Sequence, residues 1–384
     1  MIYLDNAATS YPKPRRVYEE MLWCMEKYCA NPGRGGHKMS LESGKAVFKT
    51  REVISNFFNI KNPMQLVFTK NATEAINIAI KGVLKEGDHV ITTCMEHNSV
   101  IRPLKSLEKG NVIELTIVPG NEFGEIDPQD IKKAVKSNTR LIVSTLSSNV
   151  NGIIMPVKDI GVIAKENGIL FLIDASQGAG SIKIDVEELN VDMLAFPGHK
   201  GLLGPQGTGG LYVKEGIKIN PLMTGGTGSN SESPMQPESF PDILESGTLN
   251  TPGIVGLGYG IEYINKIGLD YINKLKHELV KTIYDGLSEL KNVKIYSRRE
   301  ILKNSGIIAF NFDDVESNEV SYVLDRIYNV ATRAGLHCSP LAHNTLKTIK
   351  MGAVRLSVGC FNTFEEAKIV LKFLKEISDN INKY

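Results

Sequence analysis

Residues 196–201 read Phe-Pro-Gly-His-Lys-Gly, and the chain stays rich in glycine to Gly210. Lys200 ends an apolar run beside a histidine. An amine kept basic there could form an imine with an aldehyde cofactor; a solvated loop lysine is the alternative. The glycines would let the backbone turn tightly and come close to a bulky ligand. Asp174 closes a second apolar run, Gly168–Ile173. A carboxylate at the mouth of a buried strand needs a partner. A pyridinium nitrogen would serve, and so would the amides of a following turn. Gln177 stands three residues on, within reach of a phenolic oxygen on the same ring.

Asn71-Ala72-Thr73-Glu74 opens a helical pattern, where free amides and the helix dipole suit a phosphate. Thr73 could add its hydroxyl; an ordinary cap by Asn71 or Thr73 is the other reading. His97 follows a strand-like run. Its ring could stack on a flat cofactor and carry protons near neutral pH, or lie in solvent. Arg333-Ala334-Gly335-Leu336-His337-Cys338 sets a cation and an imidazole beside a thiol. Together they could favour the nucleophilic thiolate, against an inert buried thiol. Arg355 lies inside a strand-like run, where its fork could hold a substrate carboxylate or an internal acid.

The elements that must position these groups are legible between residues 60 and 215. Near-continuous apolar runs predict strands at Gln65–Thr69, His89–Thr93, Val112–Val118, Leu141–Leu146, Ile169–Ile173, Met193–Phe196 and Gly210–Val213. Helical patterns at Thr73–Leu84, Val100–Lys109, Pro128–Lys136 and Val157–Asn167 separate several of them. That alternation predicts a mostly parallel sheet covered by helices, with ligands beyond the strand carboxyl ends. Residues 224–247, rich in Gly, Ser and Pro, predict a long loop. Beyond it come helices over 251–266 and 269–290, strands over 293–296 and 306–312, a helix over 316–327, a strand over 353–357 and a last helix over 363–381. This reads as a smaller α+β domain, giving residues 16–256 as the large domain and 1–15 plus 257–384 as the small one.

The 384 residues are 42% hydrophobic and 23% charged, as for a globular protein with ample core. A net charge of +1 gives no electrostatic case for nucleic acid or an anionic membrane. No signal-peptide pattern or membrane-length apolar run is visible, and five cysteines without a CxxC pair point to a reducing cytoplasm and no structural zinc.

Taken together and in this order, the motifs resemble those of the cysteine desulfurases and selenocysteine lyases, class V aminotransferase-like enzymes of the fold-type I pyridoxal-phosphate superfamily. The resemblance runs from Tyr3-Leu4-Asp5-Asn6-Ala7-Ala8-Thr9 through Asn71–Asn77, Glu96-His97-Asn98, Asp174-Ala175-Ser176-Gln177, Gly198-His199-Lys200 and Gly247-Thr248-Leu249-Asn250 to Arg355. The Arg333–Cys338 segment is similar to the cysteine loop of the SufS-like subgroup. The resemblance implies an α/β fold with a mostly parallel seven-stranded sheet, and pyridoxal 5'-phosphate linked to Lys200. It implies that Asp174 meets the ring nitrogen, Gln177 the phenolic oxygen and His97 the ring face. Asn149 lies near cofactor and substrate. Ala72, Thr73 and His199 hold the phosphate, and Thr248 reaches the phosphate of the partner in a homodimer. Arg355 binds the substrate carboxylate and Arg333 stands near the thiol.

The activity implied is conversion of cysteine or selenocysteine to alanine. Lys200 moves the Cα proton, and Cys338 takes the sulfur as a persulfide destined for an acceptor protein, or selenide is released. Another class V reaction (transamination, epimerisation or β-elimination) or a non-catalytic scaffold are the alternatives. Pro197 departs from the pattern, since SufS-like enzymes commonly place there a serine that helps hold the phosphate.

Overall fold

Runs of Val, Ile, Leu and Phe with few charges become strands buried on both faces of one sheet. The structure, a computed structural model, describes residues 1–33, 35–300 and 303–380. The chain opens with β1 (Ile2–Tyr3), α1 (Arg15–Lys27) and α2 (Lys38–Phe58). It then alternates: β2 (Leu66–Thr69), α3 (Ala72–Val83), β3 (Asp88–Thr93), α4 (Asn98–Lys109), β4 (Ile113–Val118), α5 (Pro128–Lys133), β5 (Thr139–Thr145), α6 (Val157–Glu166) and β6 (Leu170–Asp174), before β7 (Met193–Pro197) and β8 (Gly209–Val213). These strands form a seven-stranded sheet in the order β2-β8-β7-β6-β5-β3-β4. Only β8 runs against its neighbours; the other pairings are parallel.

Strand periodicity splits the core into two layers. Leu141, Val143, Leu172, Met193 and Ala195 face one side, where Ile76 and Ile80 of α3 and Leu104 of α4 cover them. Ile142, Phe171, Ile173, Leu194 and Phe196 face the other, against Ile54 and Phe58 of α2 and Ile160 of α6. The carboxyl ends of β3, β5, β6 and β7 therefore emerge along one edge, at Thr93, Thr145, Asp174 and Pro197.

The remaining elements are α7 (Thr251–Ile267), α8 (Leu269–Ser288), β9 (Val293–Ile295), β10 (Ile307–Phe312), α9 (Ser317–Arg326), β11 (Val330–Ala331), α10 (Pro340–Thr345), β12 (Val354–Ser357) and α11 (Phe364–Asn380). An antiparallel sheet, β12-β10-β9, packs Phe310 and Phe312 against Leu279 and Ile283 of α8 and Leu374 of α11. β1 pairs with β11, and Asp5 bridges to Ser357, so the first residues are bound to the late part of the chain.

All the strands and helices read from the sequence are present with ends shifted by a few residues; Ile381, the expected end of the last helix, lies outside the described residues. Residues 224–247 contain no helix or strand. Their end is pinned by Glu245, whose carboxylate meets Arg51 of α2 twice at 2.9 Å and accepts from the Phe68 amide at 2.6 Å. Both side chains of this pair are only 5% exposed.

Candidate active site

β7 delivers Lys200 to the sheet edge, and a tight loop holds it there. The Gly198 amide donates to the Thr208 carbonyl, the Gly204 amide to the Gly198 carbonyl and the Leu203 amide to the Lys200 carbonyl, at 2.8, 2.8 and 2.9 Å. The glycines serve this packing. A Cβ at Gly198 would stand 2.1 Å from Thr208 Oγ1, and one at Gly201 would stand 2.2 Å from the Ala179 carbonyl. The expected close approach to a ligand is thus an approach to neighbouring protein atoms. The Lys200 amine has no hydrogen-bond partner among the described residues. Burial draws its pKa down to about 8, with Arg355 and Arg333 acting in the same sense and Asp174 and Asp5 opposing them.

Asp174, 2% exposed, ends β6 beside this amine. One carboxylate oxygen accepts from the Ser176 amide at 2.9 Å. The turn-capping role and the place in the cleft are therefore combined in one residue. Gln177 donates from Nε2 to the Ala7 carbonyl at 3.0 Å, which leaves its side-chain oxygen available to a ligand.

Asn71 caps α3 by accepting from the Glu74 amide at 2.9 Å, so Thr73 is free of that task. The amides of Ala72 and Thr73 precede the first helical bond, from Ala75 to Asn71. Thr73 Oγ1 meets Ser99 Oγ at 2.7 Å. His97 caps α4: its Nδ1 accepts from the Ser99 amide at 3.1 Å, which places the ring proton on Nε2. Burial lowers its pKa to about 4, and Lys200, Arg333 and Arg102 add to the effect against Asp174. His97 is therefore neutral at neutral pH in this cleft. Burial also lowers His199 to about 4, and its Nδ1 is buried with no partner among the described residues.

Ala72, Thr73, His97, Asn149, Asp174, Gln177, His199 and Lys200 all line one cleft of about 610 Å³, with Ser99, Thr145, Ser147 and Ser176 completing its polar wall. Pro197 lines it too, without a donor to offer. The donor set fits pyridoxal phosphate. Helix amides, Thr73, Ser99 and the orphaned His199 nitrogen suit an anion at one end. Asp174 suits a protonated ring nitrogen, and Lys200 suits an aldehyde carbon.

Cys338 stands outside those walls on a loop bound to them. His337 and Cys338 both adopt left-handed backbone conformations, with φ of +49° and +59°. Such values are unusual for side chains of this kind, and the loop holds them by several bonds. The Asn98 amide donates to the Cys338 carbonyl at 2.8 Å, Asn149 Nδ2 to the His337 carbonyl at 2.7 Å, and Ser339 Oγ to Asn149 Oδ1 at 2.7 Å. The thiol itself is exposed, with Arg333 Nη2 3.7 Å from its sulfur. His337 is stacked on His343, and burial with Arg355 drives its pKa to about 2. Arg333 is consequently the cation beside the thiol, and the imidazole supplies no charge.

Arg355 is 1% exposed, donates from Nη1 to the Asn149 carbonyl and from Nη2 to Asp5, both at 2.8 Å, and keeps a buried, unpaired Nε. The carboxylate it holds here is Asp5. Thr248 is not brought to this cleft. It is exposed in a separate groove, 3.5 Å from Asn31 Nδ2.

Sequence reasoning missed Glu96, Ser99 and Asp5. Glu96 Oε1 accepts from Thr93 Oγ1 at 2.7 Å and the Thr145 amide at 2.9 Å, tying two strand ends together. Burial raises its pKa to about 8, so its carboxyl is mostly protonated at neutral pH. The available signal was an acid directly after the apolar run that ends at Met95.

The profile of the class-V aminotransferases matches residues 2–370. A protein of Methanothermobacter thermautotrophicus described as a probable cysteine desulfurase is 36% identical over 98% of this chain and 94% of its own. A Wigglesworthia glossinidia brevipalpis protein described as a cysteine desulfurase is 33% identical over 100% of this chain and 94% of its own. The apo structure of a cysteine desulfurase from Thermococcus onnurineus superposes with a TM-score of 0.93 at 34% identity, covering 99% and 95% of the two chains.

Proposed function

The chain belongs to the class-V aminotransferase family, and from that premise we propose that it is a pyridoxal-phosphate-dependent cysteine desulfurase. One observation carries the reading: an unpaired Lys200 amine and Asp174 share a cleft whose border is tied, through Asn149, to an exposed Cys338 beside Arg333. The activity described for its relatives is consistent with that pairing of an amine and a thiol.

When bound, pyridoxal phosphate supplies a ring that accepts the electrons left when the substrate Cα loses a proton. Asp174 would hold a proton on the ring nitrogen, His97 would face the ring, and the start of α3 with Thr73 and His199 would receive the phosphate. Lys200 Nζ takes the Cα proton and later returns one to the alanine product. Cys338 Sγ attacks the substrate sulfur. A sulfur–sulfur bond forms, the carbon–sulfur bond breaks, and the balance is cysteine plus Cys338 thiol giving alanine plus Cys338 persulfide. Arg355 would take the substrate carboxylate by exchanging it for Asp5, and Arg333 stands beside the attacking sulfur. The persulfide sulfur passes to an acceptor protein.

Equal assays of alanine release from cysteine and selenocysteine test the reading. Release from cysteine with stoichiometric persulfide at Cys338 is expected; transamination or racemisation without alanine release would overturn it. Cysteine and selenocysteine differ by one atom, so selenocysteine is expected to be accepted as well.

A homodimer completes the proposal. Tyr18, Leu22, Trp23 and Met25 of α1 and Met39, Leu41 and Phe48 of α2 are exposed apolar side chains, more than a monomer usually leaves in one region. Thr248 is exposed as well, available to a second chain. The double substitution Leu22→Glu, Trp23→Glu is expected to yield monomers in sedimentation and to weaken cofactor retention by ~10-fold or more. A dimer that persists with full retention would place the interface elsewhere. No described helix is long and apolar enough to cross a membrane.

A further inference from the structure

A second, narrow cavity shares Lys200 and Gln177 with the cleft and extends between α8, the Ser305–Ile307 turn and the Ser357–Phe361 segment. Its wall carries two lysines, Lys200 and Lys276, and no carboxylate. Lys276 reaches it from α8 along an unusual path. Its Cε lies 2.2 Å from where a Cβ on Gly306 would stand, and Gly306 has φ of +104°. Only glycine leaves that passage open. The Lys276 amine ends on Ser181 Oγ at 2.7 Å, with no acid partner among the described residues.

A third lysine borders the same place. Lys13 donates to Ser10 Oγ at 2.6 Å and to the His199 carbonyl at 2.7 Å, again without a carboxylate. Burial pushes the Cys360 thiol, which lines the cavity, up to about 11, with Lys276 and Lys13 acting against that shift. Burial draws Lys13 and Lys276 down to about 8, so both remain mostly charged at neutral pH. Withdrawn ammonium groups satisfied only by neutral oxygens leave a positive potential that a counter-ion would offset. Asp174 and Asp5, the carboxylates nearest Lys200, are already held by Ser176 and Arg355.

We infer that this cavity binds a small monovalent anion between Lys276 and the Cys360 thiol, of halide or hydrosulfide size. Ser181 and Lys276 supply the donors, and Lys13 adds charge from the side. Bulk halide and hydrosulfide share that chemistry and are separated by the arms of the test; hydrosulfide would arise when a low-molecular-weight thiol attacks the inner sulfur of the Cys338 persulfide, forming a disulfide with Cys338 and releasing the outer sulfur as hydrosulfide.

Crystals of the holoenzyme grown in bromide are expected to show an anomalous peak within ~3.5 Å of Lys276 Nζ; no peak there would overturn the inference. In solution, alkylation of Cys360 by iodoacetamide is followed by peptide mass mapping, with exposed Cys29 as the internal control. Bromide, or hydrosulfide in a separate arm, is expected to slow Cys360 labelling saturably by about five-fold, because a bound anion disfavours the thiolate. A bulky sulfonate at equal ionic strength is expected to have no such effect. Lys276→Met should abolish the saturable slowing. Ser181→Ala, a smaller change that removes one donor, should raise the half-effect concentration at least three-fold. Slowing that matches the sulfonate, or that persists unchanged in both variants, would show that no site exists. A response to hydrosulfide at concentrations far below bromide would identify hydrosulfide as the occupant, and equal responses would identify bulk halide.

Discussion

Lys200→Ala is expected to lower alanine release from cysteine by ~10³-fold or more, since one side chain both anchors the cofactor and moves the Cα proton. Two further readouts separate this from damage to the fold. Borohydride treatment of the wild type, followed by peptide mapping, should leave the reduced cofactor attached at residue 200. The alanine variant should show no adduct there while keeping its thermal transition. The amine with a pKa drawn to about 8 sets a pH signature as well. Only the neutral amine attacks an aldehyde, so the rate of cofactor uptake by the apoprotein should rise with pH and level off above about 8. An unperturbed lysine would keep the rate rising towards pH 10. An adduct at another lysine, or unchanged turnover in the variant, would remove the basis of the mechanism.

Cys338→Ala is expected to lose cysteine desulfuration by ~10²–10⁴-fold with cofactor binding intact, because Cys338 is the exposed thiol beside a cation at the border of the cleft, whereas burial keeps the Cys360 thiol protonated. Cofactor absorbance should match the wild type, and cysteine should still perturb it. Persulfide should be absent from the digested variant. The remaining rate with selenocysteine then reports on mechanism. If that substrate is processed at more than a tenth of the wild-type rate, the thiol is needed for sulfur transfer alone. Full cysteine turnover without Cys338 would favour β-elimination on the same scaffold, one of the alternatives open at the level of sequence. Arg333→Ala should fall between the wild type and Cys338→Ala, since its guanidinium lies 3.7 Å from the thiol sulfur.

The parallel sheet was legible because β5–β8 are almost free of charge and bounded by turns, the pattern that double burial demands. Lys200, Asp174, His97 and the α3 start were legible for a related reason, as each stands directly after such a run. α1 was invisible to the same logic. Its apolar side chains at 18, 22, 23 and 25 face outward, so periodicity does not mark a buried face. The roles of Asn149 and Arg355 were only half legible. Sequence placed both near a ligand, but no local pattern foretells that Asn149 would spend its amide on the cysteine loop, or that Asp5, 350 residues away, would sit on the guanidinium. His337 was misjudged because burial, a property of the whole fold, removes the charge that a histidine next to a thiol suggests.

The pairing of β1 with β11, and of Asp5 with Arg355, has a temporal consequence. On the ribosome the residues that flank the cleft are made first and the ones that fasten them are made last. The nascent chain can therefore assemble its large sheet, yet must carry an unpaired leading strand until β11 has emerged, and an unfastened Asp5 until Arg355 and Ser357 follow. Synthesis order thereby delays an organised thiol loop beside a formed cleft until translation is nearly finished, and an incomplete chain released early would hold the lysine without the partner geometry needed to mobilise sulfur.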